Sequence, residues 1–147
     1  MAIAINAVSE VIKVVSSLDD CVNCTEEEYG EYLKTLDESI LKMEDGAEPV
    51  RFVLKTQLDY KSQRQIKKDQ IAVQDGGMGV NLGFIMLELR LVLKDIENPG
   101  SPLLTFVKGP DGLASEELVA RLESLGISSD LISARNYAIK PSIPKKS

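Results

Sequence analysis

The sequence contains neither histidine nor tryptophan among its 147 residues. Histidine is the side chain that most often serves as a general acid or base and as a metal ligand near neutral pH. Its absence weakens the hydrolase and zinc-enzyme interpretations first. The two cysteines are too few to suggest the disulfide framework of a small secreted protein. We therefore expect a protein that is not an enzyme and that holds no metal and no cofactor.

The sequence also lacks a hydrophobic run long enough to cross a membrane. The longest strongly apolar stretch covers residues 82–96 and contains four charged side chains, whereas a spanning helix needs roughly 20 apolar residues. No basic segment precedes the apolar residues at the start of the chain, so we expect no signal peptide. These absences predict a cytoplasmic protein that does not interact with membranes.

Acidic and basic residues are present in ordinary numbers but are unevenly distributed. The formal net charge is -6, with 13 acidic and 5 basic residues in positions 1–60 and 10 acidic and 12 basic residues in the remainder. An acidic first half argues against nucleic-acid binding, which needs a clustered basic face to neutralise phosphates. Partner proteins with a basic surface suit this charge distribution better.

The length predicts one domain that can bury a core without disulfides or a metal. We expect an N-terminal arm at residues 1–24, a single α+β domain at residues 25–137, and a flexible tail at residues 138–147 with two prolines and three lysines. The apolar residues of the arm have no clean period. They either pack on the domain or contact another subunit, which leaves homo-oligomerisation open.

Several helices are predicted from capping residues and apolar periodicity. Thr25 and Glu28 have the spacing of a capping box and predict a helix that ends near Leu36. Ser115 is a suitable N-cap for an amphipathic helix that ends at Gly126, and a last short helix is expected at residues 129–137. Residues 81–93 are apolar on every side, which predicts a central helix surrounded by the rest of the domain.

Three short strands complete the predicted fold. Residues 39–43 and 50–56 enclose a turn-rich connection and predict a β-hairpin, in which Phe52 and Leu54 share the inner face. Residues 103–108 predict a further strand. We expect an α+β fold in which the hairpin and the further strand pack on the central apolar helix, with amphipathic helices around it.

The CxxC motif at Cys21 and Cys24 is the one motif with obvious chemistry. A structural zinc ion normally takes four Cys or His ligands, and this chain cannot supply the other two from those residue types. Asp19 and Asp20 precede the motif in a polar segment and are expected to raise the pKa of the thiols. We interpret the cysteines as incidental. A small redox protein that uses them is the competing hypothesis.

Two other patterns have a chemical interpretation that is weaker than the structural one. The glycine-rich segment at residues 75–79 precedes a predicted helix, but it lacks the Lys-Ser/Thr of a P-loop and the spacing of a dinucleotide site. We interpret it as a turn. The acidic pairs Asp19/Asp20 and Glu116/Glu117 are interpreted as solvated surface near loops and helix starts.

A basic stripe is a candidate partner-binding surface. A polar helix is predicted from Asp59 to about residue 72, and three basic residues would share one of its faces: Lys61, Arg64 and Lys68. A solvated helix face is the simpler explanation. An interface for an acidic partner is the functional one, because the stripe is conspicuous in an acidic chain.

Three segments together resemble tail assembly chaperones of long-tailed, siphovirus-like bacteriophages. They are EPVRFVLK at residues 48–55, GVNLG at residues 79–83, which opens an apolar helix, and LLTF at residues 103–106 followed by GPDGL at residues 109–113. The likeness spans about residues 37–135 and carries no catalytic signature. The arm and the CxxC motif are departures from the family pattern.

The resemblance implies a non-enzymatic protein in the cytoplasm of an infected bacterial cell. Such a chaperone coats the tape measure protein and helps to recruit tail tube subunits during tail assembly. The alternatives are a structural virion subunit of the tail or neck, which would be found in the virion, and a small cytosolic protein-binding adaptor.

Overall fold

The computed structural model describes residues 10–58, 61, 64 and 81–139, and these residues form a mixed α+β fold. One antiparallel sheet has the strand order β1-β2-β3, where β1 is Val11–Val14, β2 is Arg51–Lys55 and β3 is Leu93–Glu97. The α+β class predicted from the sequence is confirmed. Of the three predicted strands, only the one at residues 50–56 is confirmed, and it forms the centre of the sheet.

Alternate residues of β2 lie on the inner face of the sheet. Phe52 and Leu54 are buried in the main core, as predicted, and Val50 packs against that core from just before the strand. Phe52 is paired with Val14 on one side and with Ile96 on the other. This apolar row across the three strands joins them on one face, because directly opposed side chains in a sheet contact each other.

The predicted hairpin partner at residues 39–43 is wrong. Glu38–Leu41 is a 3-10 helix, and its N-cap Asp37 accepts a hydrogen bond from the Ser39 N–H through Oδ1 at 3.0 Å. An aspartate that bonds the backbone two residues ahead favours a turn over a strand. Leu41 is nevertheless fully buried.

The further strand predicted at residues 103–108 is also wrong. Pro102–Leu104 is a short 3-10 helix, and only Lys108 in the expected strand makes a β-bridge, with Ala114. Proline at the start of a turn fixes a helix-like backbone angle and removes a ladder donor. The third strand of the sheet is instead β3, which follows a helix directly.

The N-terminal arm is corrected at residues 11–14, which form β1 at the edge of the sheet. Ile12 and Val14 face the main core, whereas Lys13 is exposed and pairs with Glu97 at 2.9 Å. A strand of four residues is too short to show a convincing alternation in the sequence. The arm residues 1–9 lie outside the described residues.

The first helix, α1, is Glu26–Thr35 and has the predicted capping box. The Thr25 N–H donates to Glu28 Oε1 at 3.0 Å, and the Glu28 N–H donates to Thr25 Oγ1 at 3.2 Å. Tyr29 and Tyr32 then bind the backbone of Val15: the Tyr29 hydroxyl donates to the Val15 carbonyl at 2.7 Å, and the Val15 N–H donates to the Tyr32 hydroxyl at 2.9 Å. These bonds attach α1 to the end of β1.

The predicted central helix is present as α2, Asn81–Val92. Leu89 and Val92 are fully buried and Leu91 is nearly so, whereas Ile85, Met86 and Leu87 are half-buried. The expectation that the rest of the domain surrounds this helix is therefore confirmed for its last turn. At Ile85, Met86 and Leu87 the helix is only half-buried, so this part of it lies at the outside of the fold.

The last two helices, α3 at Glu116–Ser124 and α4 at Ser128–Ile139, agree with the prediction. Ser115 Oγ accepts a hydrogen bond from the Leu118 N–H at 3.1 Å, and Gly126 has a φ of 80° in the turn between the helices. Helix α4 includes Ala138 and Ile139, so the predicted boundary of the tail at residue 138 is wrong. The rest of the tail, residues 140–147, lies outside the described residues.

The main core lies between the inner face of the sheet and helices α2, α3 and α4. Its buried members are Val14, Phe52, Leu54, Leu89, Val92, Leu93, Ile96, Ala114, Leu118, Val119, Leu122, Ile127, Leu131 and Ala134. A smaller cluster under α1 contains Val15, Tyr29, Tyr32 and Leu41. Each large apolar side chain buried in this way contributes about 1.5–3 kcal/mol, before the entropy cost of ordering it.

Candidate functional site

Two residues of the basic stripe lie within the described part of the chain. Lys61 and Arg64 have helical backbone, and both side chains are exposed. Their spacing of three places them on one side of a helix. Lys68 lies outside the described residues, as does most of the helix predicted from Asp59. The structure therefore brings Lys61 and Arg64 to the surface together, and their role in partner binding remains a proposal.

The CxxC cysteines are free thiols that are half-buried. Partial burial, with a hydrogen bond to Asp19 and its charge, raises the pKa of Cys21, as expected from the acidic neighbours. Burial also raises the pKa of Cys24, and its side chain packs against the small cluster under α1. A raised pKa leaves less thiolate at neutral pH, which is the opposite of what a reactive cysteine requires.

The aspartates before the motif differ from each other. Asp19 uses both carboxylate oxygens: Oδ1 accepts from the Cys21 N–H at 2.9 Å, and Oδ2 accepts from the Val50 N–H at 2.8 Å. It therefore attaches the segment after β1 to the start of β2. Asp20 is exposed and has no hydrogen bond or ion pair to any described residue. The prediction of a solvated carboxylate is confirmed for Asp20 and is wrong for Asp19.

The second acidic pair lies on the first turn of α3. Glu116 and Glu117 are exposed there, as predicted, and Glu116 Oε1 lies 3.6 Å from Arg90 Nη1. The glycine-rich segment at residues 75–79 lies outside the described residues.

Arg90 organises the loop ahead of α3. Its Nε donates to the Ala114 carbonyl at 2.8 Å, and its Nη2 lies 2.7 Å from Asp111 Oδ2. Hydrogen bonds from the Leu113 N–H and from Arg90 lower the pKa of Asp111. The cleft beside this ion pair has a volume of about 690 Å³ and is lined by Lys108, Glu116 and Glu117 among others. The Nε and Nη2 groups of its central arginine already bond the loop.

Arg135 forms a second, more deeply buried site, which no sequence motif predicts. Its Nε donates to the Lys55 carbonyl at 2.8 Å, Nη2 donates to the Thr56 carbonyl at 3.3 Å, and Nη1 contacts Glu88 Oε1 at 3.2 Å. The side chains of Arg135 and Glu88 are 7% and 12% exposed. This pair attaches α4 to α2 and to the end of β2, which is a structural role.

Burial acts on the protonation of both partners of this pair. It raises the pKa of Glu88, even though the charge and hydrogen bond of Arg135 oppose the rise. It lowers the pKa of Arg135, against the opposing charge of Glu88. In both groups the loss of hydration disfavours the charged form.

A face with exposed apolar side chains lies on the side of the molecule where β1 ends. Leu18 and Leu103 are each 59% exposed. Between the segments that carry them is a groove of about 190 Å³, lined by Leu18, Val50, Phe52, Leu104, Ile127, Ser16, Asp19 and Asp20. A Cβ on Gly126 would lie 3.7 Å from Leu18 Cδ1, so the groove reaches the turn before α4. This arrangement can bind an apolar surface of another molecule.

Sequence reasoning singled out the neighbours of this groove but not the groove itself. The sequence allows the apolar residues of segment 1–24 either to pack on the domain or to contact a partner. In the structure Ile12 and Val14 pack inward, whereas Leu18 is exposed. The position of Leu18 at a turn was the available signal, because turn residues are usually polar or small.

Within the described residues no helix is long and apolar enough to span a membrane. Those residues also contain no group of three or more His, Cys, Asp or Glu side chains placed to hold a metal ion. Comparison with protein-family models, with curated protein sequences and with solved structures gave no match.

Proposed function

We propose that this protein acts by binding other proteins, as a tail assembly chaperone of a long-tailed bacteriophage. In this proposal it binds the tape measure protein and tail tube subunits in the cytoplasm of the infected cell during tail assembly. The sequence resemblance at residues 48–55, 79–83 and 103–113 supplies the identity of the partners.

The observation that carries the binding part of the proposal is the face around Leu18. One large apolar side chain, Leu18, is mostly exposed at a groove that is also lined by the core residue Phe52. An exposed apolar side chain next to an apolar groove, with polar residues around it, is typical of protein interaction sites. The pKa values of Glu88 and Asp111 are shifted, but each carboxylate is bonded to an arginine that joins structural elements. We therefore interpret both carboxylates as structural.

Co-expression with the candidate tape measure protein from the same phage genome tests the proposal. We expect a tagged version of this protein to retain the tape measure protein through purification, and we expect purified phage particles to contain none of the tagged protein. A chaperone that leaves after assembly gives both results.

Each opposite result has a defined meaning. If the tape measure protein is not retained, the chaperone function is wrong. If the protein occurs in purified particles in a fixed ratio to the tail tube, it is a structural tail or neck subunit.

A further inference from the structure

The turn that carries Leu18 is held in place by hydrogen bonds on both sides. Asp130 Oδ2 accepts from Ser16 Oγ at 3.2 Å, from the Ser17 N–H at 3.0 Å and from Ser17 Oγ at 2.8 Å. Within the turn, Ser16 Oγ accepts from the Leu18 N–H at 3.1 Å. Asp19 then joins the turn to the Val50 N–H at 2.8 Å. The fixed backbone holds Leu18 at the surface, and a partner therefore pays little entropy to order it.

The groove beside Leu18 has the size of a side-chain site. Its volume of about 190 Å³ is below the roughly 300–1,000 Å³ of sites that enclose small molecules. Interfaces between proteins instead place one large side chain of the partner in a central apolar pocket. Phe52 and Ile127 form a buried floor, and Val50 and Leu104 are half-buried walls. One leucine-sized or phenylalanine-sized side chain suits this space.

Charge is negative on the side of the groove that the turn provides. Asp19 and Asp20 line the groove, and Asp130 contacts the lining residue Ser16. Next to the lining residue Leu104, the Leu103 carbonyl accepts a hydrogen bond from Arg121 Nη1 at 2.7 Å. A partner with basic residues beside its apolar anchor complements the Asp19 and Asp20 side.

We infer that the groove bounded by Leu18, Phe52 and Leu104 binds an amphipathic helix of a partner protein, with an apolar anchor in the groove and a lysine or arginine against Asp20. Residues one helical turn apart lie on one helix face, so the anchor and the cation are expected three or four positions apart. This inference rests on the proposed protein-binding function and adds the site and the chemistry of the partner segment.

The direct test uses a synthetic helical peptide as the probe. The peptide has about 16 residues in an Ala/Gln background, with one Leu and one Lys four positions apart. Two matched peptides replace the Leu by Asn or the Lys by Glu. Amide chemical shifts of the isotope-labelled full-length protein are followed during titration. We expect the first peptide alone to shift the amides of residues 16–20, 50, 104 and 127.

The inference is overturned by binding elsewhere, by no binding, or by equal binding of the Lys and Glu peptides. It is also overturned if the same amides shift with protein concentration alone, because a second copy of the chain then occupies the groove.

Protein variants provide the second arm of the test. Leu18→Ser and Asp20→Lys change exposed side chains, and each is expected to weaken binding of the Leu/Lys peptide by about tenfold, as for a residue central to an interface. The matched controls are Ile139→Ser, an exposed apolar residue at the end of α4, and Glu27→Lys, an exposed acidic residue on α1. We expect both controls to bind like the parent protein.

Retention of the tape measure protein separates the two proposals. If the parent protein and the Leu18→Ser/Asp20→Lys variant retain it equally, the groove inference is wrong and the chaperone function stands. If the parent protein retains no tape measure protein but binds the Leu/Lys peptide in the groove, the chaperone identity is wrong and the groove inference stands.

Discussion

Arg135 joins three parts of the chain that are far apart in sequence. It bonds the carbonyls of Lys55 and Thr56 at the end of β2 and the carboxylate of Glu88 on α2. Removing one partner of a buried ion pair leaves the other charge without compensation, which costs about 3–5 kcal/mol. Since small domains are stable by only about 5–15 kcal/mol, this one side chain decides much of the stability.

We predict that Arg135→Met destabilises the protein by about 3–5 kcal/mol at neutral pH. Burial already raises the pKa of Glu88 from its ordinary value of 4.5, and loss of Arg135 removes the two effects that oppose the rise. A carboxyl group with a raised folded-state pKa favours folding below its unfolded-state pKa, and that contribution is lost as the pH rises through the folded-state pKa. The defect of Arg135→Met should therefore grow as the pH rises.

Urea unfolding of the parent and variant at several values between about pH 5 and pH 8 measures this difference. The control is Arg135→Met/Glu88→Gln, which has no buried carboxylate to titrate. We expect its defect to be smaller at neutral pH and nearly independent of pH. A defect of Arg135→Met that stays constant across the series contradicts the electrostatic explanation and leaves only lost packing and lost carbonyl bonds.

The residues that sequence reasoning identified are those with local partners. Thr25 caps α1 through Glu28, three residues ahead, and Ser115 caps α3 through Leu118 in the same way. Such bonds follow from spacing alone. Asp130 bonds Ser17 across 113 residues, and Arg135 bonds Lys55 across 80 residues. No spacing rule predicts these pairs, because only the folded chain brings them together.

Among the elements, β3 shows how a local irregularity conceals a strand. Its buried residues, Leu93 and Ile96, are three apart, which resembles the period of a helix. The register between β2 and β3 shifts between Val53 and Leu54, so that Asp95 is opposite Val53 and Leu93 is opposite Leu54. The extra residue, Lys94, returns Leu93 to the same face as Ile96. The prediction consequently extended the apolar helix to Leu93 and missed the strand.

Substitutions in helix α2 test the packing of the main core most directly. We predict that Leu89→Asp prevents stable folding, because Leu89 is fully buried in the main core and an unpaired buried charge costs several kcal/mol. Leu91→Asp should have a similar effect, since Leu91 is only 6% exposed. Leu87→Asp is the matched variant on a half-buried position and should lower the melting temperature less.

Circular dichroism melts of the three variants give the order of the effects. The parent protein and Lys94→Asp, a change at an exposed position of β3, serve as controls. If Leu89→Asp melts within a few degrees of the parent, the last turn of α2 is not a core element. If Leu87→Asp and Leu89→Asp are equally damaging, the helix is buried along its whole length.

At the scale of the whole molecule, the two candidate contact surfaces carry charges of opposite sign. The groove beside Leu18 is lined by Asp19 and Asp20, whereas the exposed residues Lys61 and Arg64 follow β2. Charged residues at the rim of an interface act mainly on the rate of encounter, and salt screens that effect.

We predict that Lys61→Glu/Arg64→Glu/Lys68→Glu slows association with the tape measure protein and reduces the salt dependence of the association rate, without changing the fold. The substitutions change three cations to anions and lower the formal net charge from -6 to -12. A control with the same net charge is Lys55→Glu/Lys94→Glu/Lys108→Glu, because all three lysines are exposed on other elements. Association rates by surface plasmon resonance at low and high salt compare the three proteins.

The control separates a local effect from a general one. If the stripe contacts the partner, only the stripe variant associates more slowly at low salt, and the parent and stripe variant approach each other at high salt as screening removes the difference. If both triple variants are slowed equally, net charge alone governs the encounter. If neither is slowed, Lys61, Arg64 and Lys68 belong to a solvated helix face, and the partner is bound through other surfaces.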